Sequence, residues 1–340
     1  MFSPPATAIN LLWIAVGTAV MAMALTRGVM TLMARHGLTA QQNKRSSHVG
    51  EPLIGGGWSV VLLTLGAWLL FAIPRQPPDI AAFVSALVLA AISWRDDLKL
   101  MSPATRLLLQ STAVAICLWL LPANERVLWD GLPLAADRLV TALCWIWFIN
   151  LYNFMDGIDG LAASETISVA GGVVFVGLTV ALAADYLILA AALAGATAGF
   201  LPWNWYRAKI FLGDLGSVPI GFLLGFLLIH IALKGYLAAA IILPLYFVTD
   251  ASITLTRRAI DWLWFEGEPF WHPHKVHFYQ RALHPGCTHA HVVLRIVAGN
   301  IVLVCAAILS ISQPLPALSL AIAAVAILMA HLQALARSPS

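Results

Sequence analysis

The chain has 340 residues, of which 61% are hydrophobic and 10% are charged. A water-soluble domain carries roughly a quarter charged residues, so the composition excludes that class and indicates a membrane protein. The formal net charge of +3 says little about nucleic acid, because Lys and Arg that anchor membrane helices account for most of the basic residues. Membrane lipid, and no nucleic acid, is therefore the predicted partner.

Apolar runs of about 20 residues, the length that crosses a bilayer as a helix, recur along the whole chain. They lie at approximately 8–26, 55–73, 80–94, 104–121, 138–153, 163–183, 186–201, 216–233, 236–256, 291–311 and 315–333. Since helices satisfy their own backbone hydrogen bonds in hydrocarbon, we predict an all-α, polytopic bundle of about 11 transmembrane helices. It forms a single domain over residues 1–340. The first run has no basic residue before it, so it is predicted to be a retained helix.

Positive charge is distributed unequally between alternate loops. The loops at 27–50, 95–106, 204–209 and 257–281 carry most of the Lys and Arg residues. Because basic loops tend to stay in the cytoplasm, we predict that the N-terminus faces outward and that these loops are cytoplasmic. All the polar clusters described next fall on that side.

The first polar cluster, Asp96-Asp97-Leu98-Lys99, follows the third predicted span. Adjacent carboxylates repel each other and are tolerated when a cation is near. One interpretation is an acidic site close to Mg²⁺ or a phosphate, with Lys99 balancing the charge. The other is a solvated loop with a local ion pair.

The second cluster contains Asn150, Asn153, Asp156 and Asp159, which are spaced three residues apart. On a helix these side chains would stay on one side, and the two glycines of the segment would let a ligand approach the backbone. Mg²⁺ prefers oxygen ligands and keeps several waters, so one Asn and one Asp would suffice. The pattern favours a nucleotide and metal site, with polar packing between helices as the alternative.

The third cluster, Gly213-Asp214-Leu215-Gly216-Ser217, enters the eighth predicted span. A helix N-terminus offers N–H groups to a phosphate, while Asp214 could supply a metal ligand. Asp214 or Ser217 could equally be an ordinary N-cap.

The fourth cluster holds six of the ten histidines, namely His272, His274, His277, His284, His289 and His291. A zinc site is the obvious rival interpretation, but no cysteine pair or carboxylate completes the usual ligand spacing. Phosphate binding by the imidazoles, together with Lys275 and Arg281, is favoured.

A fifth cluster, Lys44-Arg45-Ser46-Ser47-His48, precedes the glycines Gly55 to Gly57. It could bind an anion through its side chains and a flexible glycine turn. It could also be only the basic flank of the second span.

Residues 44–281 together resemble the polyprenyl-phosphate N-acetylhexosamine-1-phosphate transferase family. The family pattern N-x-x-N-x-x-D-G-x-D-G-L is matched in full by Asn150 to Leu161, and G-D-x-G-S is matched by Gly213 to Ser217. The family's D-D-x-x-K pattern is similar to Asp96 to Lys99, with one residue fewer. The histidine segment lacks an adjacent pair, which is more similar to the branch that initiates O-antigen or lipopolysaccharide synthesis.

The resemblance implies that a lipid phosphate attacks the β-phosphorus of a UDP-sugar, giving a polyprenyl-diphospho-sugar and UMP. It implies UDP-N-acetylhexosamine and undecaprenyl phosphate as substrates, Mg²⁺ (or Mn²⁺ in its place) as cofactor, and a cytoplasmic-face site in the bacterial inner membrane. A homodimer stays open. The implied residues are Asp96, Asp97, Asp214, His274 and His277 for catalysis, Asn153 and Asp214 for the metal, and Arg45, His48, Lys99, Asn150, Asp156, Asp159, Phe211, His272 and Lys275 for substrate.

Two other functions were weighed. The peptidoglycan enzyme of the same family, phospho-N-acetylmuramoyl-pentapeptide transferase, has a G-T-P-T-x-G-G pattern where this chain has Glu51 to Gly56, and this counts against its substrate. A secondary transporter would place its site near the bilayer midplane between related halves. The clusters here lie at one face instead.

Overall fold

A computed structural model describes residues 4–39, 52–264 and 275–337, with side chains from residue 8 onward. Thirteen helices form within these ranges. They are α1 (Pro4–Arg35), α2 (Gly57–Phe71), α3 (Pro77–Leu98), α4 (Pro103–Leu120), α5 (Leu134–Phe154), α6 (Leu161–Thr179), α7 (Ala184–Asn204), α8 (Asp214–Leu233), α9 (Leu237–Ile242), α10 (Leu245–Trp264), α11 (Phe278–Arg281), α12 (His289–Leu309) and α13 (Pro314–Leu335).

Nine helices of the described chain are long and apolar enough to cross a membrane: α1, α3 to α8, α12 and α13. The prediction of an all-α, polytopic membrane protein is confirmed. The other two predicted spans differ from the expected long helices. The apolar helix α2 has only 15 residues, and the run predicted at 236–256 is divided between α9 and α10.

The division of that span has a local cause. Pro244 lies between the end of α9 and the start of α10, and a proline lacks the N–H that a continuous helix would use. Helix α10 then carries four charged residues, Asp250, Arg257, Arg258 and Asp261. It is therefore amphipathic, and it continues to Trp264, beyond the predicted end of the span at 256.

Helix α8 is the core of the bundle. Its whole membrane-length segment is buried, and it contacts α2, α3, α5, α6 and α9. Helix α1, by contrast, exposes large apolar side chains such as Leu12 and Trp13, as expected of a helix that faces lipid. One side of α1 packs on α7, where a Cβ at Gly195 or Gly199 would overlap carbonyl oxygens of α1. Small residues allow this close approach.

The polar clusters meet at one end of the bundle, which we call the polar end. The C-termini of α3, α5 and α7 lie here with the N-termini of α2, α4, α6, α8 and α12. Contacts across the polar end include Gly57 N–H to the Leu212 carbonyl oxygen, Asn153 to Asp214 and Asp159 to His289. Four stretches far apart in sequence are thereby brought together.

Candidate active site

An acidic cluster at the polar end combines residues from three of the predicted motifs. Asp96 and Asp97 come from the end of α3, Asn153 from the end of α5, and Asp214 from the start of α8. Asn153 Nδ2 donates to Asp214 Oδ1 at 2.7 Å and to Ser217 Oγ at 2.8 Å. These motifs therefore form one site.

Asp97 holds the start of α8. Its Oδ1 accepts a hydrogen bond from the backbone N–H of Asp214, and its Oδ2 accepts one from Leu215, both at 3.1 Å. These N–H groups are among those that a helix N-terminus leaves unpaired, and a carboxylate there is favoured by the helix dipole. The N-cap is Gly213, with φ of +73°, so the interpretation of Asp214 or Ser217 as the N-cap is wrong.

Arg106 joins the carboxylates and was missed in the sequence analysis. Its Nη1 lies 3.1 Å from Asp96 Oδ2 and 3.1 Å from Asp214 Oδ2. The available signal was Ser102-Pro103, a typical helix start, whose Ser102 Oγ caps Thr105 N–H. Side chains in a helix tilt towards its N-terminus, so a long side chain in the first turn of α4, such as that of Arg106, can reach back to the end of α3.

The second motif does not continue as a helical stripe. Helix α5 ends at Phe154, so Asn150 and Asn153 lie on it, whereas Asp156 and Asp159 lie in the following loop. The helical interpretation is wrong for Asp156 and Asp159, because α5 ends at Phe154 and Gly160, with φ of +77°, is already the N-cap of α6. Gly157 leaves space for the Tyr279 hydroxyl group, so it serves packing within the protein.

Asp156 is half-buried in this loop. Burial raises the pKa of its carboxyl group to about 7, and the negative charges of Asp214 and Asp159 add to the shift. Within the described part of the chain, its side chain accepts no hydrogen bond that offsets this shift. A carboxylate in this position favours a cationic or N–H partner supplied by a ligand.

Asp159 is instead engaged with the protein. It is 5% exposed, its Oδ2 lies 3.2 Å from His289 Nδ1, and it accepts a hydrogen bond from Ala208 N–H. The next residue, Gly160, donates to Asn204 Oδ1. Asp159 therefore ties the loop before α6 to the start of α12 and to the segment after α7.

The described part of the fourth cluster, from residue 275 onward, packs against α10 through Asp250 and against the end of α5 through Tyr279. His277 is 2% exposed, and its Nδ1 lies 3.2 Å from Asp250 Oδ1. Asp250 also accepts hydrogen bonds from Phe278 N–H and Tyr279 N–H, while the Tyr279 hydroxyl donates to the Phe154 carbonyl oxygen. Asp250 thus anchors α11 against the end of α5.

The other predicted residues are distributed as follows. Asn150 Nδ2 donates to Gln110 Oε1 at 2.7 Å, joining α5 to α4. Lys99 and Lys275 are exposed at the polar end, and Phe211 is half-buried just before Asp214. Four predicted residues lie outside the described part of the chain: Arg45, His48, His272 and His274.

The glycines at 55–57 pack α2 against α8. Gly56 N–H donates to the Phe211 carbonyl oxygen, and a Cβ at Gly57 would lie 2.5 Å from Gly216 Cα. Both helices start at this contact, which supports the backbone below Asp214. The structure thus gives these glycines a packing role.

The acidic cluster fits a divalent cation. Asp214 is 28% exposed, and its Oδ2 pairs with the Arg106 guanidinium, so the carboxylate is accessible from outside and carries charge that a cation can neutralise. Mg²⁺ needs only one or two carboxylates when phosphates and water supply the remaining ligands. Asn153 could serve as a second ligand only with its amide turned over, an assignment that hydrogen-bond geometry alone decides.

For the zinc interpretation, no group of three His, Cys, Asp or Glu side chains is arranged for a metal within 8–39, 52–264 and 275–337.

Fold and site together define a polytopic helical membrane protein with an acidic cluster, bridged by Arg106, at one end of the bundle. Residues 80–232, which include the first three polar clusters, match the model of glycosyl transferase family 4. Over this segment the chain is similar to that family, and the resemblance supports the polyprenyl-phosphate hexosamine-1-phosphate transferases within it.

Three relatives illustrate the range of the family. The chain is 31% identical to a phospho-N-acetylmuramoyl-pentapeptide-transferase of Microcystis aeruginosa over 51% of its own length and 52% of the relative's. It is 29% identical to a decaprenyl-phosphate N-acetylglucosaminephosphotransferase of Mycobacterium tuberculosis, over 79% and 74%. It is 23% identical to a Bacillus subtilis protein named probable undecaprenyl-phosphate N-acetylglucosaminyl 1-phosphate transferase, over 79% and 76%. The match thus spans about half of the first relative.

Proposed function

We propose that this protein transfers an N-acetylhexosamine 1-phosphate from a UDP-sugar to undecaprenyl phosphate, releasing UMP. The reaction would be the first step in the synthesis of O-antigen or another cell-envelope polysaccharide, at the cytoplasmic face of the inner membrane. The observation that carries the proposal is the contact of Asp214 with both Asn153 and Arg106. It joins the family's motifs in one cation-binding cluster.

The cluster suits phosphoryl transfer, which needs positioning and charge neutralisation more than covalent help from the protein. Asp214, with Asn153, would hold Mg²⁺, which when bound neutralises negative charge on the diphosphate. Asp97 keeps the start of α8 in place through two backbone N–H groups. Lys99 and Lys275, which are exposed, would contact phosphate oxygens of the substrates.

Asp96 is not required as a general base in this proposal. Its side chain is 3% exposed and is held by Arg106 and by the Met101 N–H, and a lipid phosphate is mostly ionised at neutral pH. We assign it the positioning of Arg106. Asp156 and Phe211 are proposed to contact the nucleotide, whereas Asp159 and His289 position the loop that carries Asp156.

A second candidate is the peptidoglycan enzyme. A specific observation favours it, since a Picosynechococcus protein named phospho-N-acetylmuramoyl-pentapeptide-transferase is 34% identical to this chain over 51% of its length. The N-acetylhexosamine reaction is preferred because a decaprenyl-phosphate N-acetylglucosaminephosphotransferase matches over 79% of the chain.

The experiment offers the purified protein a panel of UDP-N-acetylhexosamines, and UDP-N-acetylmuramoyl-pentapeptide, each with undecaprenyl phosphate and Mg²⁺. Lipid products are identified by mass and released nucleotides by chromatography. We expect UMP and an undecaprenyl-diphospho-N-acetylhexosamine, and reversal of the reaction by excess UMP. A product only from the muramoyl-pentapeptide donor would select the second candidate, and no lipid product from any donor would refute both.

A further inference from the structure

The guanidinium of Arg106 lies against the carboxylates of Asp96 and Asp214, the position that a bound metal ion would also need. Its backbone lies in the first turn of α4, fixed by the Ser102 cap, while its guanidinium reaches across to α3 and α8. A single nitrogen, Nη1, lies 3.1 Å from one oxygen of Asp96 and one oxygen of Asp214. The guanidinium therefore already neutralises part of the charge of both carboxylates.

Both oxygens of Asp214 are occupied within the described chain. Oδ2 accepts from Arg106 and Oδ1 accepts from Asn153 Nδ2. Each carboxylate oxygen keeps a second lone pair, but a divalent cation on Asp214 would lie close to the like charge of the Arg106 guanidinium and would compete with it for the same carboxylate. The guanidinium is the charged group that can move away, because its side chain is long and 32% exposed. Asn153 carries no charge, and its amide would only have to turn over to bind the same cation.

A displaced guanidinium needs a new anionic partner. Arginine binds phosphate with two parallel hydrogen bonds, and a nucleoside diphosphate supplies phosphate oxygens at the same site if the proposed function is correct. The metal and the diphosphate would then enter together, with the diphosphate binding the arginine that the metal displaces.

We propose that Arg106 competes with the divalent cation for Asp214 and so makes metal binding depend on the diphosphate. The inference rests on the proposed function for the identity of the diphosphate. It assigns Arg106 two states: bound to Asp96 and Asp214 without nucleotide, and bound to phosphate oxygens with nucleotide. Metal affinity is therefore coupled to nucleotide binding, and this coupling is reciprocal.

The test measures Mn²⁺ binding to the full-length protein in detergent, from the electron paramagnetic resonance signal of unbound Mn²⁺. Without nucleotide, Arg106→Gln should bind Mn²⁺ about tenfold more tightly than the wild type, because a charge-assisted hydrogen bond no longer has to be broken. Saturating UDP should tighten Mn²⁺ binding by the wild type and should have much less effect on Arg106→Gln.

The matched control is Arg95→Gln. Arg95 is an exposed cation on α3, next to Asp96. This variant therefore also removes one positive charge near the acidic cluster, but it leaves the contacts of Arg106 with Asp96 and Asp214 in place. It should bind Mn²⁺ as the wild type does. Arg106→Lys is a second variant, which keeps the positive charge on a shorter side chain that reaches Asp96 and Asp214 less well. Its Mn²⁺ affinity should lie between those of the wild type and Arg106→Gln.

Equal Mn²⁺ affinities of Arg106→Gln and the wild type would overturn the inference. So would weaker binding by Arg106→Gln, which would mean that Arg106 supports the metal ligands. If Arg106→Gln does not fold, Arg106→Lys decides the matter, and an affinity no higher than that of the wild type is the contradicting result. Because no sugar donor is present, these outcomes are separate from a failure to form UMP in the transferase assay.

Discussion

Two carboxylates at the polar end, Asp214 and Asp250, are built into their surroundings in opposite ways. Asp214 is 28% exposed and is held by an arginine that is itself partly exposed. Asp250 has no exposed surface and is surrounded by groups that all contact its carboxylate, namely Tyr246, Thr254, His277, Phe278 N–H and Tyr279 N–H. The first carboxylate is open to a ligand, and the second is closed by the protein.

This difference shows how an acidic residue in a membrane protein can be assigned. An ionisable residue within a membrane domain is a functional hypothesis by default. Its partners separate the cases, since a carboxylate whose hydrogen bonds are all supplied by the protein has little capacity left for a substrate. Asp250 contacts His277, whereas Arg257, two turns further along α10, lies over the Phe278 ring.

The largest effect is expected at the open carboxylate. Asp214→Ala should lower transferase turnover at least about 100-fold, as for the loss of a group that stabilises charge in the transition state. Its thermal unfolding in detergent should stay close to that of the wild type. Asp261→Asn, which changes an exposed acid of α10, is the control. Retention of substantial activity with normal Mg²⁺ dependence would remove Asp214 from the metal site.

At the closed carboxylate the effect should fall on stability. Asp250→Asn replaces one acceptor oxygen with an NH₂ group among donors, so we expect a loss of about 2–4 kcal/mol. The measurement is the thermal unfolding midpoint and the yield of folded protein. Normal stability combined with lost activity would transfer Asp250 to the catalytic site and end the contrast between the two carboxylates.

The support below Asp214 can be tested through glycine. Gly57→Ala puts a Cβ 2.5 Å from Gly216 Cα and should destabilise the protein by about 1–3 kcal/mol, because both contacting groups are backbone. Gly66→Ala, on the same helix, meets no atom within 4 Å and should be neutral or slightly stabilising. The two unfolding midpoints decide the matter, and equal values would show that α2 and α8 can separate without cost.

The smallest effect concerns pH. The pKa of Asp156 is raised to about 7, first by burial and then by Asp214 and Asp159. If its ionised form binds the nucleotide, UDP affinity in Mg²⁺ should increase about tenfold between pH 6 and 8. Isothermal titration should show this dependence in the wild type and a flatter one in Asp156→Asn. An unchanged slope in the variant would exclude Asp156 as its source.

The same pKa shift has a consequence for stability. The folded-state pKa of Asp156 lies above its unfolded value of 3.8, so the folded protein binds the proton more tightly, and stability decreases as pH rises through about 7. Without ligand, Asp156→Asn should therefore be more stable than the wild type at pH 8. Equal stability of the wild type and Asp156→Asn at pH 8 would contradict the raised pKa.

Much of this arrangement follows from local sequence signals. The start of α8 at Asp214 was predicted from the glycines and the apolar run that follows. The helix for Asn150 and Asn153 was predicted from their spacing. The spacing failed at Asp156, because the period of three continues in the sequence beyond Phe154, where helix α5 ends.

The bridge through Arg106 could not be predicted in this way. Arg106 is 108 positions from Asp214, and its role depends on how α3, α4 and α8 pack. Asp250 and His277 are 27 positions apart, and the end of α10 lies between them. Sequence periodicity reports which face of an element is apolar, but it carries no information on which polar side chains meet between elements.

The most direct test of the account follows the β-phosphorus of the donor. The protein is incubated with Mg²⁺, undecaprenyl phosphate and a UDP-N-acetylhexosamine labelled in its β-phosphate, and the label is traced after separation of lipid from nucleotide. A phosphosugar transferase breaks the diphosphate, so the label should move to the lipid as unlabelled UMP is released. Label recovered in released UDP would show that the bond between sugar and diphosphate is broken, and would contradict the proposed reaction.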